Sequence, residues 1–173
     1  LCLARLDWLP NQEGIKWLLE KVWPVVVRKR QDLTLTIAGS GDASWLTPYL
    51  SLKHLNFLGC VPETRPLYRR CLAALVPVFY GSGTRVKAIE AVRYGRMLIS
   101  TQLGVEGLDL IPGQHYLQAE TAQDWIDGLS GLTFEQAVNM GSSAFAQLRY
   151  DFSAHSAAQR FEVLLKDVLE GVK

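Results

Sequence analysis

Short β-forming runs alternate with helical patterns along most of this chain, and few folds accommodate that alternation. The runs cover residues 1–5, 33–38, 55–58, 72–79, 97–100 and 115–118. The clearest helical pattern starts at Glu13, with Ile15, Leu18, Leu19, Val22, Trp23 and Val26 on one face of a 3.6-residue period. Pro24 interrupts it and predicts a kink or a break. Arg28, Lys29 and Arg30 follow, where a helix C-terminus favours cations. Shorter helices are expected up to about residue 52, over 66–71, and from the segment 81–84 to about Tyr94. Beyond Ala122 the pattern is wholly helical, over about 122–130, 134–149 and 155–170. The expected fold is therefore α/β: a Rossmann-like doubly wound parallel sheet over residues 1–130, with a helical tail over 131–173. Ligands of such sheets bind outside the carboxyl ends of the strands, so the informative loops follow Arg5, Ala38, Leu58, Phe79 and Ser100.

Composition narrows the partners. Of 173 residues, 49% are apolar and 20% charged, which fits a folded domain and excludes a wholly disordered chain. Lys and Arg number 18 against 17 Asp and Glu, a net charge of +1 that argues against duplex nucleic acid or an anionic bilayer as partner. Cys2, Cys60 and Cys71 show no C-x-x-C spacing, so a disulfide framework and a zinc ribbon are both disfavoured and a reducing compartment is the simpler setting. The longest apolar run, 71–80, has ten residues and includes Pro77, where a bilayer-spanning helix needs about 20. Leu1 opens directly into a strand-like run without an initiator Met, as in a piece of a longer protein.

Two glycine loops follow strands. Gly39-Ser40-Gly41 matches the start of a dinucleotide fingerprint, but Ser44 stands where the third glycine belongs, and a tight strand-to-helix turn explains it as well. Gly81-Ser82-Gly83-Thr84-Arg85-Val86-Lys87-Ala88-Ile89-Glu90-Ala91 says more. Its glycines let the backbone approach a ligand, and the helix it opens offers free amides and a positive dipole end, the ingredients of a phosphate site. Arg85 and Lys87 add positive charge where an unliganded helix start favours Asp or Glu. The alternative is a capping turn, with Ser82 or Thr84 capping the helix and Lys87 pairing with Glu90. Glu90 suits a vicinal diol such as ribose, and suits solvent equally well. His54, His115 and His155 form no joint pattern and are expected to be structural.

Taken in order, these segments resemble the C-terminal, donor-binding half of a GT-B glycosyltransferase of the retaining group 1 (family 4). The matching stretches are Arg5-Leu6-Asp7-Trp8-Leu9-Pro10-Asn11, Leu35-Thr36-Ile37-Ala38-Gly39-Ser40-Gly41, Asn56-Phe57-Leu58-Gly59-Cys60-Val61-Pro62 with Leu67-Tyr68, the run from Gly81 to Ala91, and Gly104-Val105-Glu106-Gly107-Leu108. The resemblance implies a nucleotide-diphosphate sugar as donor substrate, no cofactor and no metal. It implies that Glu90 holds the ribose, that Ser82, Gly83, Thr84 and Arg85 lie at the diphosphate-binding helix start, and that Gly59, Cys60 and Val61 lie against the nucleobase. Arg5 and Lys87 are the expected catalytic residues, acting on the departing diphosphate. The family's acceptor site and its histidine base lie in an N-terminal half that this chain lacks, so the fragment is expected to bind a nucleotide without turning over. The setting implied is cytoplasmic surface polysaccharide or lipopolysaccharide synthesis, with any membrane contact made through that other half and no nucleic-acid partner.

Departures from the family pattern are specific. Ser82 replaces the first glutamate of the usual E-x7-E pair. Ala4 replaces a glycine, Arg93 a small residue and Met97 a proline, and the loop lysine is missing near Glu13-Gly14. They support a rival reading as a degenerate, non-enzymatic nucleotide-sugar-fold module. A nucleotide-sugar epimerase half would need catalytic carboxylates and a histidine that find no place here. An NAD-dependent dehydrogenase would need a complete G-x-G-x-x-G after the first strand.

Overall fold

The computed structural model describes residues 1–151. Six strands, β1 (Cys2–Leu3), β2 (Leu35–Ala38), β3 (Leu55–Gly59), β4 (Ala73–Val76), β5 (Met97–Ser100) and β6 (Leu117–Gln118), pair in parallel as β1-β2-β3 and β4-β5-β6. The two sets adjoin where β1 lies beside β4, the Leu75 amide donating to the Leu1 carbonyl at 2.8 Å. The spatial order is thus 3-2-1-4-5-6, the Rossmann-like arrangement, and the direction of winding reverses between β1 and β4.

The helices are α1 (Leu9–Trp17), α2 (Trp23–Lys29), α3 (Arg65–Arg70), α4 (Val86–Arg93), α5 (Ala122–Ser130) and α6 (Phe134–Asp151). Alternation along the central strands feeds two cores. Leu75 and Ile99 face a layer with Ile15, Trp23 and Trp125 from α1, α2 and α5, and with Leu18 from the turn between α1 and α2. Ala74, Val76 and Leu98 face Tyr68, Ala88, Val92 and Ala144 from α3, α4 and α6. β4 and β5 are buried at every position, as strands covered on both faces must be.

Three local outcomes differ from the sequence reading. The first helix begins at Leu9, ahead of Glu13, because Pro10 occupies its first turn, where a fixed φ and a missing N–H do no harm. Ahead of Pro24 the helix changes its hydrogen-bonding pattern and does not end. Leu18–Val22 form a π turn, with the Trp23 amide reaching back five residues to the Leu18 carbonyl, and this wide turn absorbs the proline ring before α2 continues. The segment after Asp42 is a 3₁₀ turn over Ser44–Tyr49 and not an α-helix. The helix expected over 155–170 lies outside the described residues.

Two close approaches hold the loops that build the site. Gly39, at φ +155°, abuts the Ala4 carbonyl, where a Cβ would lie 1.6 Å from the oxygen. Gly14 presses α1 onto the Pro77 carbonyl equally closely, at 1.6 Å from a built Cβ. The ends of β1, β2 and β4 are thereby drawn together.

Candidate functional site

At the reversal between β1 and β4, the strand ends and the start of α4 enclose a cleft of about 420 Å³. Leu3, Ala4 and Arg5 line it from the end of β1, Trp8 and Asn11 from the first helix, and Gly39 and Ser40 from the turn after β2. Cys60, Val61 and Thr64 come from the β3–α3 loop, and Thr84, Val86, Lys87 and Glu90 from the start of α4. Of the sequence-predicted residues, Arg5, Cys60, Val61, Thr84, Lys87 and Glu90 therefore meet in one place. Gly59 ends β3 at φ +64°, next to Cys60. Ser82 and Gly83 are exposed in the adjoining loop, outside the lining.

The three cations fare differently. Lys87 stands in the first turn of α4, half-buried, and donates to Asn11 Oδ1, with its ammonium 5.9 Å from the Trp8 ring centroid. Among the described residues it has no carboxylate partner. Burial pushes its pKa below the usual lysine range, opposed by the Cys2 thiol and assisted by the Arg85 charge. Asn11 is itself buried and donates to the Arg5 carbonyl at 2.8 Å, so one amide side chain fixes both Lys87 and the β1 end. The Arg5 side chain is exposed and grips Asp7 with two hydrogen bonds, of 2.7 and 3.1 Å, which hold the Asp7 carboxyl below its usual range. Arg85 does not face the cleft. It is 7% exposed, 2.6 Å from Glu106 and 3.5 Å from the Gly81 carbonyl, and its Nε has no partner among the described residues.

The capping and pairing alternative is not what forms. α4 has Arg85 at its N-cap position and no side-chain cap, so neither Ser82 nor Thr84 closes the helix start, and its first turn carries no acidic residue. The amides of Gly83 and Thr84 donate to no acceptor among the described residues. Lys87 turns to Asn11, while Glu90, half-buried, accepts from Thr64 Oγ1 at 2.5 Å and from the Tyr68 hydroxyl at 3.4 Å. Burial and the Glu90 charge push the Tyr68 phenol well above its usual range, so it remains a donor. The Tyr68 ring stacks on Tyr94, with centroids 5.1 Å apart.

The chemistry available is thus a desolvated cation and the free Thr84 amide at one end of the cleft, with the Gly83 amide in the loop beside it, and a carboxylate steadied by neutral donors at the other. Sequence reading missed Trp8, Asn11 and Thr64. His115 is structural, its Nδ1 accepting from the Ile111 amide at 3.0 Å. Among the described residues no group of three or more His, Cys, Asp or Glu is placed to hold a metal, and no helix is long and apolar enough to cross a membrane.

Residues 1–133 match the family model described as glycosyl transferases group 1. A Klebsiella pneumoniae protein, described as an uncharacterized 44.6 kDa protein in the cps region, is 26% identical in an alignment 157 residues long that covers 83% of this chain and 40% of that one. Among solved structures, an S. aureus TarM mutant in complex with fondaparinux, alpha-GlcNAc-glycerol and UDP superposes with a TM-score of 0.76 at 16% identity, covering 94% of this chain and 34% of that one. The C-terminal domain of the group 1 glycosyl transferase LpcC from Francisella tularensis gives 0.65 at 15% identity, over 89% of this chain and 84% of that domain. These structural likenesses establish the fold.

Proposed function

The chain belongs to the group 1 glycosyl transferases, with the C-terminal Rossmann-like domain of their GT-B fold, and we propose that its cleft binds the nucleotide-diphosphate sugar donor for a retaining transfer. The order of groups from the loop before α4 into the helix carries this reading. The unpaired amides of Gly83 and Thr84 come first, then Lys87, then Glu90 three residues on, about 4.5 Å further along the axis. A diphosphate set against the amides and Lys87 puts its ribose diol at Glu90 and its base toward Cys60 and Val61 on the β3–α3 loop. The TarM mutant, which shares this fold, was solved in complex with UDP, which supports a nucleotide as the ligand.

In the transfer, the bond between the anomeric carbon and the diphosphate oxygen breaks, and negative charge collects on the leaving diphosphate. Lys87, already desolvated and oriented by Asn11, stabilises that charge together with the helix-start amides, and needs little reorganisation to do so. Arg5 joins when it exchanges Asp7 for a phosphate oxygen. The positive charge comes from these groups, so the reading calls for no cofactor. The acceptor side belongs to an N-terminal half outside this chain, and the chain alone binds donor without turnover. The setting of the Klebsiella relative in a cps region supports surface polysaccharide synthesis; the cytoplasmic side, with membrane contact left to the other half, completes the proposal.

Ser82, exposed outside the cleft in place of a glutamate, and Arg5, engaged by Asp7, favour a second reading: a module that keeps the fold and has lost the donor. Calorimetric titration of UDP, GDP and ADP into the protein and into Glu90→Ala separates the two. The expected result is that one diphosphate binds, and that the variant binds it roughly ten- to a hundredfold more weakly, the worth of a charged hydrogen bond of about 1.5–3 kcal/mol. Binding of none of the three supports the second reading.

A further inference from the structure

We infer that Thr64 is a positioning residue for ribose recognition, acting through Glu90; the inference rests on the donor-binding reading above. The observation behind it is a hydroxyl that is not where its position calls for it. Thr64 is the N-cap residue of α3, where a threonine ordinarily accepts a hydrogen bond from an amide of the first turn. Here it makes no such bond. Its Oγ1 donates to Glu90 Oε1 at 2.5 Å instead, across to a helix 26 residues further along the chain. α3 thus forgoes a stabilising cap, and the hydroxyl joins the β3–α3 loop to the carboxylate on α4.

Among the described residues the second Glu90 oxygen has only a long contact, 3.4 Å from the Tyr68 hydroxyl, and the carboxylate has no cation partner. One oxygen is therefore pinned and the other retains acceptor capacity toward the cleft, which Thr64 and Glu90 both line. A carboxylate held in this way meets a vicinal diol in a fixed orientation, so less side-chain freedom is lost on binding. The same bond ties the carboxylate to the loop bearing Cys60 and Val61. Base and ribose are then read by one rigid unit.

The test compares UDP with 2′,3′-dideoxy-UDP by calorimetry, or the corresponding GDP or ADP pair where that is the diphosphate that binds, using the ratio of their dissociation constants, in the unmodified protein, Thr64→Val, Thr64→Ala and Thr64→Ser. The unmodified protein should favour UDP by about ten- to a hundredfold. Both variants without the hydroxyl should lower that ratio by about three- to tenfold, one net hydrogen bond's worth, and serine should restore it. Valine and alanine differ in bulk, so agreement between them excludes a packing effect, and a general loss of structure would weaken both ligands without changing the ratio. If UDP binds without ribose preference in the unmodified protein, the assignment of Glu90 fails and this inference falls with it. If the preference is present and persists in Thr64→Val and Thr64→Ala, the inference alone is overturned.

Discussion

Replacing Lys87 by methionine separates the needs of the ligand from those of the fold. An ammonium about 4 Å from a phosphate charge, at an effective dielectric near 20, gains about 4 kcal/mol of Coulomb energy. Desolvation reduces this to roughly 1.5–3 kcal/mol, so Lys87→Met should weaken UDP binding by about ten- to a hundredfold. Uridine, which lacks the diphosphate, should bind as before. Stability should behave differently. Lys87 is half-buried with a neutral amide as its hydrogen-bond partner; methionine fills similar space without a charge to desolvate but leaves the buried Asn11 Oδ1 unpaired, so the two effects offset and the melting midpoint should move little, far less than the affinity. The pH dependences have opposite signs. Burial lowers the Lys87 pKa from 10.5. Between the lowered value and 10.5 the unfolded chain binds more protons than the folded one, so this group's contribution to stability grows as pH rises. Over the same range the free protein loses the Lys87 charge while a bound diphosphate favours it, so UDP affinity falls with pH and binding takes up a proton. Lys87→Met should abolish both trends. Titration calorimetry in two buffers of different ionisation enthalpy reads the proton uptake, and thermal unfolding reads the stability. An equal loss of UDP and uridine binding, or no loss of either, would refute the reasoning.

Two further substitutions test the supports of the cleft. Gly14→Ala drives a methyl into the Pro77 carbonyl, 1.6 Å from the built Cβ; backbone has to move, and the expected loss is about 3 kcal/mol or more by denaturant unfolding, or failure to fold. Asn11→Leu strips Lys87 and the Arg5 carbonyl of their partner together. It should cost about 1–3 kcal/mol of stability and also lower UDP affinity, both readable on one purified variant.

The fold was largely legible because its signals are local. Alternation along β2, the apolar runs of β4 and β5 and the apolar helical face over residues 15–26 set the layers, and glycines mark the strand ends. The start of α1 was not, because Pro10-Asn11 reads equally as a turn and as a first helical turn. Pro24 signals trouble in a helix but not its remedy, and the structure absorbs it by widening one turn. In the site, Thr84, Lys87 and Glu90 were legible because they share one loop and helix. Asn11 and Thr64 were not, since their partners lie 76 and 26 residues away. Arg85 carries the same charge as Lys87 in the sequence, yet Glu106, 21 residues further on, turns it inward. Spacing alone does not decide between a cation facing a ligand and one neutralised by a distant acid.

The most direct test of the donor site is a crystal structure of the protein with the nucleoside diphosphate that binds it. The account predicts diphosphate oxygens within hydrogen-bond distance of Lys87 Nζ and the Thr84 amide, ribose hydroxyls on Glu90, and the base beside Cys60 and Val61. A nucleotide bound elsewhere, or lying in the cleft with its ribose turned away from Glu90, would contradict it.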